Sequence, residues 1–208
     1  MAGLTDVLRE EHTNIGRLLR ALERQVDIFA EGGSPDYDVI VGVADYFLDY
    51  PDRCHHPKED RVFRRMAEIE PGAAAKVGDL MGAHRVLHQQ ALSFRQALTM
   101  LLGETDIPRA SVVDRAQDFA RAQWEHIRME EEHFLPVAEQ LLSAADWTAI
   151  EAELSARQDP VFGGRVESVF KTLSERLLAW EAEDDREARR RRERRSRPIS
   201  SKRPITRR

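Results

Sequence analysis

Apolar residues recur at steps of three and four through most of the chain as far as Trp180, and this periodicity predicts long helices. Leu4, Leu8, Ile15, Leu19, Leu22 and Val26 form one stripe, with His12 standing inside it. Val113, Ala116, Phe119, Ala120, Ile127, Phe134 and Leu141 form another. Each stripe is one face of an amphipathic helix and needs a second apolar face to cover it. The breaks are short: Gly32-Gly33-Ser34-Pro35-Asp36, Pro71-Gly72, and Gly103 through Pro108. They mark a first helix that carries the Leu4–Val26 stripe and ends at Gly32, and further helices over about 37–68, 73–102 and 109–142. Pro51 and Pro57 fall inside the second, where each removes a backbone donor, so a bend is expected there. Four such helices joined by short turns predict an all-α, up-down-up-down antiparallel four-helix bundle.

Beyond the bundle, Asp146 is expected to cap a short helix carrying Trp147 and Ile150. Asp159 through Gly164 reads as a loop, and a last helix is expected from near Arg165. Its Val166, Val169, Phe170, Leu173, Leu177 and Trp180 should dock on the bundle. The expected units are a bundle over 1–144, a helical extension over 145–180 and a basic, disordered tail over 181–208. Residues 186–208 hold 12 basic and 2 acidic side chains, whereas the preceding 185 residues hold 20 basic and 35 acidic. The run Arg189-Arg190-Arg191-Arg192, then Arg194, Arg195 and Arg197, suits weak, non-specific contact with a polyanion. It carries no aromatic residue for base stacking, and folding back on the acidic body or a solubilising role fits it as well.

The single cysteine, Cys54, excludes an intrachain disulfide framework. No apolar run reaches the roughly 18–20 residues of a membrane span. The N-terminus has neither a basic n-region nor an apolar h-region, so a soluble, cytoplasmic protein is expected. No CxxC pair, Gly-rich phosphate loop or nucleophile motif is present.

The chemistry lies in seven histidines: His12, His55, His56, His84, His88, His126 and His133. His84 and His88 are four apart, so their rings leave one helix face within reach of one ion. His55 with Glu59, and His126 with Glu130, repeat that spacing. Every bundle helix thus supplies a ligand-type side chain. Imidazoles and carboxylates inside a bundle core are costly unless paired or bound to metal. Five imidazoles and two carboxylates exceed the needs of one ion and suit two, a set compatible with non-haem iron and also with zinc or manganese.

The order H…HxxxE…HxxxH…HxxxE over Glu11-His12, His55-His56-Pro57-Lys58-Glu59-Asp60, His84-Arg85-Val86-Leu87-His88 and His126 through Glu132 resembles the hemerythrin-like family, the HHE cation-binding domain. The resemblance covers about residues 1–142. It implies two non-haem iron ions, oxo- or hydroxo-bridged. His84, His88 and His126 would hold one and His12 with His55 the other, while Glu59 and Glu130 would bridge both. His56 with Asp60 also satisfies the HxxxE spacing. The match of His55-xxx-Glu59-xxx-Phe63 to His126-xxx-Glu130-xxx-Phe134 favours His55 and Glu59, and leaves His56 and His133 off the core. Oxygen-carrying hemerythrins end instead in an Asp five residues after the last His. Here that position is Glu131, and Glu130 at four residues is the expected bridge, a departure that argues against reversible oxygen carriage.

The iron with two histidines keeps an open position for dioxygen, peroxide or nitric oxide. The leading expectation is therefore a diiron protein handling a small oxidant in oxidative or nitrosative stress defence, with peroxide- or nitric-oxide-consuming turnover as a candidate activity. The alternatives are a non-enzymatic module sensing oxygen, nitric oxide or iron, and an iron storage or repair protein. Around the metals, Tyr46 and Tyr50 read as core aromatics or as phenols serving the open iron, and Glu11 and Asp60 as carboxylates orienting imidazoles or as surface charges.

Overall fold

The computed structural model describes residues 3–103, 107–154 and 158–196. Within them the chain is all-helical. Helix α1 spans Leu4–Ala30 and buries Leu4, Leu8, Ile15, Leu19, Leu22 and Val26. It ends where Gly32 takes φ +88 and Gly33 N donates to Ile28 O at 2.9 Å, a left-handed cap that glycine adopts without a Cβ clash. Helix α2 (Tyr37–Tyr50) continues through a π-helical turn (Pro51–His55) into α3 (His56–Ile69), so the bend expected at the prolines takes the form of a wider turn. A second π turn, Glu130–Phe134, separates α6 (Arg109–Met129) from α7 (Leu135–Leu141). Each π turn ends two residues before a proline, Pro57 or Pro136. The missing N–H of that proline frees the carbonyl four residues earlier, Arg53 or Glu132, which loosens the α-helical ladder there.

The helix expected over 73–102 is two. Helix α4 covers Pro71–Val77, Gly78 breaks the chain with φ +96, and α5 runs Leu80–Leu102 from an Asp79 cap bonded to Gly82 N at 2.9 Å. Ser143, not Asp146, caps α8 (Ala144–Ala152). Asp146 sits three residues on and accepts from Ser143 N at 2.9 Å, completing a reciprocal capping box. The last helix begins later than Arg165: a 3₁₀ turn (Ser168–Phe170) leads into α9 (Lys171–Ser196). Helix α9 continues through 181–196, expected to be part of the disordered tail, and the remainder of that tail lies outside the described residues.

Helix α1 packs on α2 and α6, and α5 packs on α2 and α6, closing a ring of contacts. Along α1 and the stretch formed by α6 and the π turn that follows it, Arg9 meets Glu131, Glu23 meets Trp124 and Phe29 O meets Arg109. Two apolar zones fill the interior. One gathers Leu19, Leu22, Phe47, Phe94 and Phe119, with the Phe47 and Phe119 rings 4.9 Å apart. The other gathers Leu8, Val62, Met66, Phe134 and Leu135. The histidines and their carboxylates form a polar layer between these zones.

The extension closes over the first zone. Leu173 and Leu177 of α9 are buried against α2, where Gly42 lets Leu173 approach to 3.2 Å of the position a Cβ would take. Arg17 pins α9 through Glu181 at 2.6 and 2.7 Å. Among the described residues, no helix is long and apolar enough to cross a membrane.

Candidate metal centre

The π turn at Pro51–His55 sets the local geometry. A regular helix turns each residue about 100°, so adjacent side chains rarely share a face. The wider turn relaxes that rule, and His55 and His56 are both buried, with Glu59 one turn on. Helix α1 brings His12, α5 brings His84 and α6 brings His126, with Glu130 opening the second π turn.

Two donor groups result, each with candidate atoms within 4.8 Å of one another: His12, His55, Glu59 and Glu130; and His56, Glu59, His84 and His126. The carboxylates straddle both. Glu59 Oε1 lies 3.2 Å from His12 Nε2 and 3.3 Å from His55 Nε2, while its Oε2 lies 3.5 Å from His84 Nε2. Glu130 Oε2 lies 3.3 Å from His12 Nε2, and its Oε1 lies 2.8 Å from His126 Nε2 and 3.4 Å from His84 Nε2. The His56 and His84 rings stack at 4.0 Å.

The outward nitrogens are held by a second set of carboxylates. His12 Nδ1 donates to Glu131 at 2.6 Å, His55 Nδ1 to Glu11 at 2.9 Å, His84 Nδ1 to Asp60 at 3.0 Å and His56 Nδ1 to Asp52 at 3.1 Å. A proton fixed on Nδ1 leaves Nε2 to face inward as the ligating atom. Glu11 also accepts from Tyr50 Oη at 2.8 Å and from the buried Lys58 ammonium.

Charge is balanced accordingly. Burial penalises a charged His12, but hydrogen bonds to Glu130, Glu131 and Glu59 outweigh it and push the imidazole up to about 12. Burial works against ionised Glu11 too, yet His55 and Lys58 hold it down at about 2. Glu130 is held well below the usual carboxylate range: burial opposes this, and His12, His126 and His84 overcome it. His56 is pushed down to about 4, first by burial, with the neighbouring His84 and His55 adding to it, so its ring is neutral.

Of the seven residues expected from the sequence, the structure brings six together and leaves His88 outside both groups. The His88 side chain is 35% exposed and turned to Asp52. His56, expected off the core, stands in the second group instead. The symmetry that set it aside carried α-helical register across the bend expected at Pro51 and Pro57, whereas the bend is a π turn that changes that register. His133 is exposed, as expected. Cys54 is buried.

These residues fit a pair of cations. Glu59 Oε2, Glu130 Oε2 and His126 Nε2 are buried without a well-formed hydrogen bond. Fully buried carboxylate oxygens left this way call for a positive partner, and imidazole with carboxylate donors suits a borderline divalent metal.

Nothing among the curated proteins and nothing among the solved structures matches the chain. The family model for the hemerythrin HHE cation binding domain matches residues 3–138. That span holds every element of the polar layer, and the chain belongs to the hemerythrin HHE cation-binding family.

Proposed function

We propose that the protein is a non-haem diiron hemerythrin-like protein that binds a small oxidant, dioxygen, peroxide or nitric oxide, in stress defence. The carrying observation is that Glu59 and Glu130 each present one oxygen to either donor group. In this reading His12 and His55 hold one iron, His56, His84 and His126 hold the other, and the two glutamates bridge. The helices form an up-down-up-down bundle around them, supported by the opposed order of the pairings along α1 and α6.

Bound iron would supply reversible one-electron change and an open position for the oxidant. The chain's own contribution is orientation and shelter. Glu131, Glu11, Asp60 and Asp52 fix the imidazole tautomers, and the flanking apolar zones keep bulk water from both ends of the layer. Access is best served by a surface cavity of about 650 Å³ between α3 and α5, lined by Asp52, His56, Asp60, His84 and His88 among others. It reaches the group that contains His56 and His84, so in this reading the oxidant approaches from the three-histidine side and not from the two-histidine side expected to hold the open position. His88 at its mouth then stands on the approach rather than on the metal.

The test is metal content and absorption of the anaerobically prepared protein, before and after dioxygen or hydrogen peroxide. About two irons per chain with an oxo-bridge charge-transfer band supports the reading. A folded protein that retains no iron under those conditions overturns it.

A further inference from the structure

Tyr46 and Tyr50 are one turn apart on α2 and fully buried, with ring centroids 5.5 Å apart. Each phenol donates its hydrogen bond to a carboxylate. Tyr50 Oη meets Glu11 Oε1 at 2.8 Å, and Tyr46 Oη meets Asp159 Oδ2 at 2.8 Å. Glu11 Oε2 in turn holds His55 Nδ1. Asp159 comes from the extension, is itself buried, and is anchored through Oδ1 by Val161 N at 2.8 Å and Phe162 N at 3.0 Å. A purely packing role does not call for this arrangement. Phenylalanine would fill either position, and a buried phenol is satisfied by a neutral carbonyl, whereas bringing a carboxylate to it carries a desolvation penalty. A phenol next to a proton acceptor can give up an electron without becoming a radical cation. That condition is met twice, in series, beginning one residue away from a candidate iron ligand.

We propose that Tyr50 and Tyr46 form a one-electron relay that serves the iron centre during peroxide reduction, an inference that rests on the diiron reading above. With only one iron(II) in the centre, the metal would supply one of the two electrons that hydrogen peroxide takes up, and Tyr50 would supply the other. The O–H bond of Tyr50 breaks, its proton passing to Glu11. The O–O bond of the peroxide breaks and two solvent protons complete two waters; the metal would be left one electron poorer and Tyr50 as a phenoxyl radical. Tyr46 then reduces the Tyr50 radical: Tyr50 recovers its proton from Glu11, and the proton of Tyr46 passes to Asp159. The oxidised equivalent comes to rest on Tyr46, which has no exposed surface, and the imidazole ligands are spared.

The experiment uses the full chain, iron-loaded and then half-reduced so that about one iron per chain is iron(II), with iron per chain measured first. It is mixed with hydrogen peroxide, freeze-quenched and read by electron paramagnetic resonance. An organic radical is expected whose hyperfine splitting collapses in protein grown on ring-deuterated tyrosine. Tyr50→Phe at full iron content is expected to lose it, and Tyr46→Phe to retain a shorter-lived one. Full iron with no tyrosine-derived radical, or a signal undiminished in Tyr50→Phe, overturns the relay alone. A chain that takes up no iron overturns the diiron reading and the relay with it. The isotope measurement needs no substitution, so a misfolded variant does not blunt the test.

Discussion

At the scale of single residues, His56 and His88 exchange the places that spacing assigned them. His88 is four residues from His84, but its ring is drawn to Asp52, the same carboxylate that holds His56 Nδ1. His56→Ala is therefore expected to bind about one iron per chain in place of two, while His88→Ala keeps both; elemental analysis of the purified variants decides. The protonation of the metal-free centre gives a second prediction. His12 donates from both ring nitrogens, to Glu131 and to Glu59, and its charged form is held across the neutral range. Its folded value lies above the unfolded one, so its contribution to stability is complete below about 6.5 and is lost as pH rises through about 12. A cation must displace the Nε2 proton. Iron(II) uptake in weakly buffered solution is expected to release protons, and apparent affinity to rise with pH. Uptake with no pH change in such a titration would contradict this. Of the six candidate ligands that come together, five were legible from i, i+4 spacing, a property of one helix alone, and His12 from its place inside an apolar stripe. The exchange of His88 for His56 was not, because it depends on where the helix departs from 3.6 residues per turn and on a carboxylate from another element.

At the scale of elements, the long helices follow directly from their stripes, and the missed features are local backbone events. Gly78 is the clearest. Nothing lies within 4 Å of a Cβ placed there, so Gly78→Ala meets no clash, only the strain of φ +96. It should destabilise the protein by about 1 kcal/mol, a fall of roughly 2–4 °C in Tm for a chain of this size. A thermal scan showing no change would mean that the break between α4 and α5 owes nothing to glycine. The capping box of α8 has the same lesson. Ser143 and Asp146 are both ordinary cap residues, and only the reciprocal bonding separates the cap from its partner three positions on. The two π turns carry a sequence mark in Pro57 and Pro136, but a proline alone does not distinguish a kink from a widened turn.

At the scale of the whole molecule, the extension is tied to the bundle at a buried carboxylate and an apolar seam. Leu173→Ala should cost about 2–5 kcal/mol, the range for deleting a buried leucine, read as a lower denaturant midpoint. Asp159 tests the other attachment. Burial raises its carboxyl above the ordinary value, against the opposing hydrogen bonds of Phe162 N, Val161 N and Tyr46. The ionised form is therefore the one the fold disfavours. This penalty is absent below the unfolded value near 4, and grows as pH rises towards the folded value. Asp159→Asn keeps an oxygen for the two backbone donors, so its Tm relative to the parent chain should be higher at pH 7 than at pH 4. A difference that does not vary with pH would remove Asp159 ionisation as a factor in docking.

The π turn at Pro51–His55 has a consequence for how this chain tolerates changes in length. Upstream of it, Tyr46, Phe47 and Tyr50 are registered to the apolar zone and the extension; downstream, His56 and Glu59 are registered to the buried polar layer. One residue more or fewer between them rotates one half against the other by about 100°. Either the aromatic face or the ligand face must then point away from its partner. Numbering along this rod is thus as constrained as residue identity, and a single insertion there should do more harm than any point substitution in the same five positions.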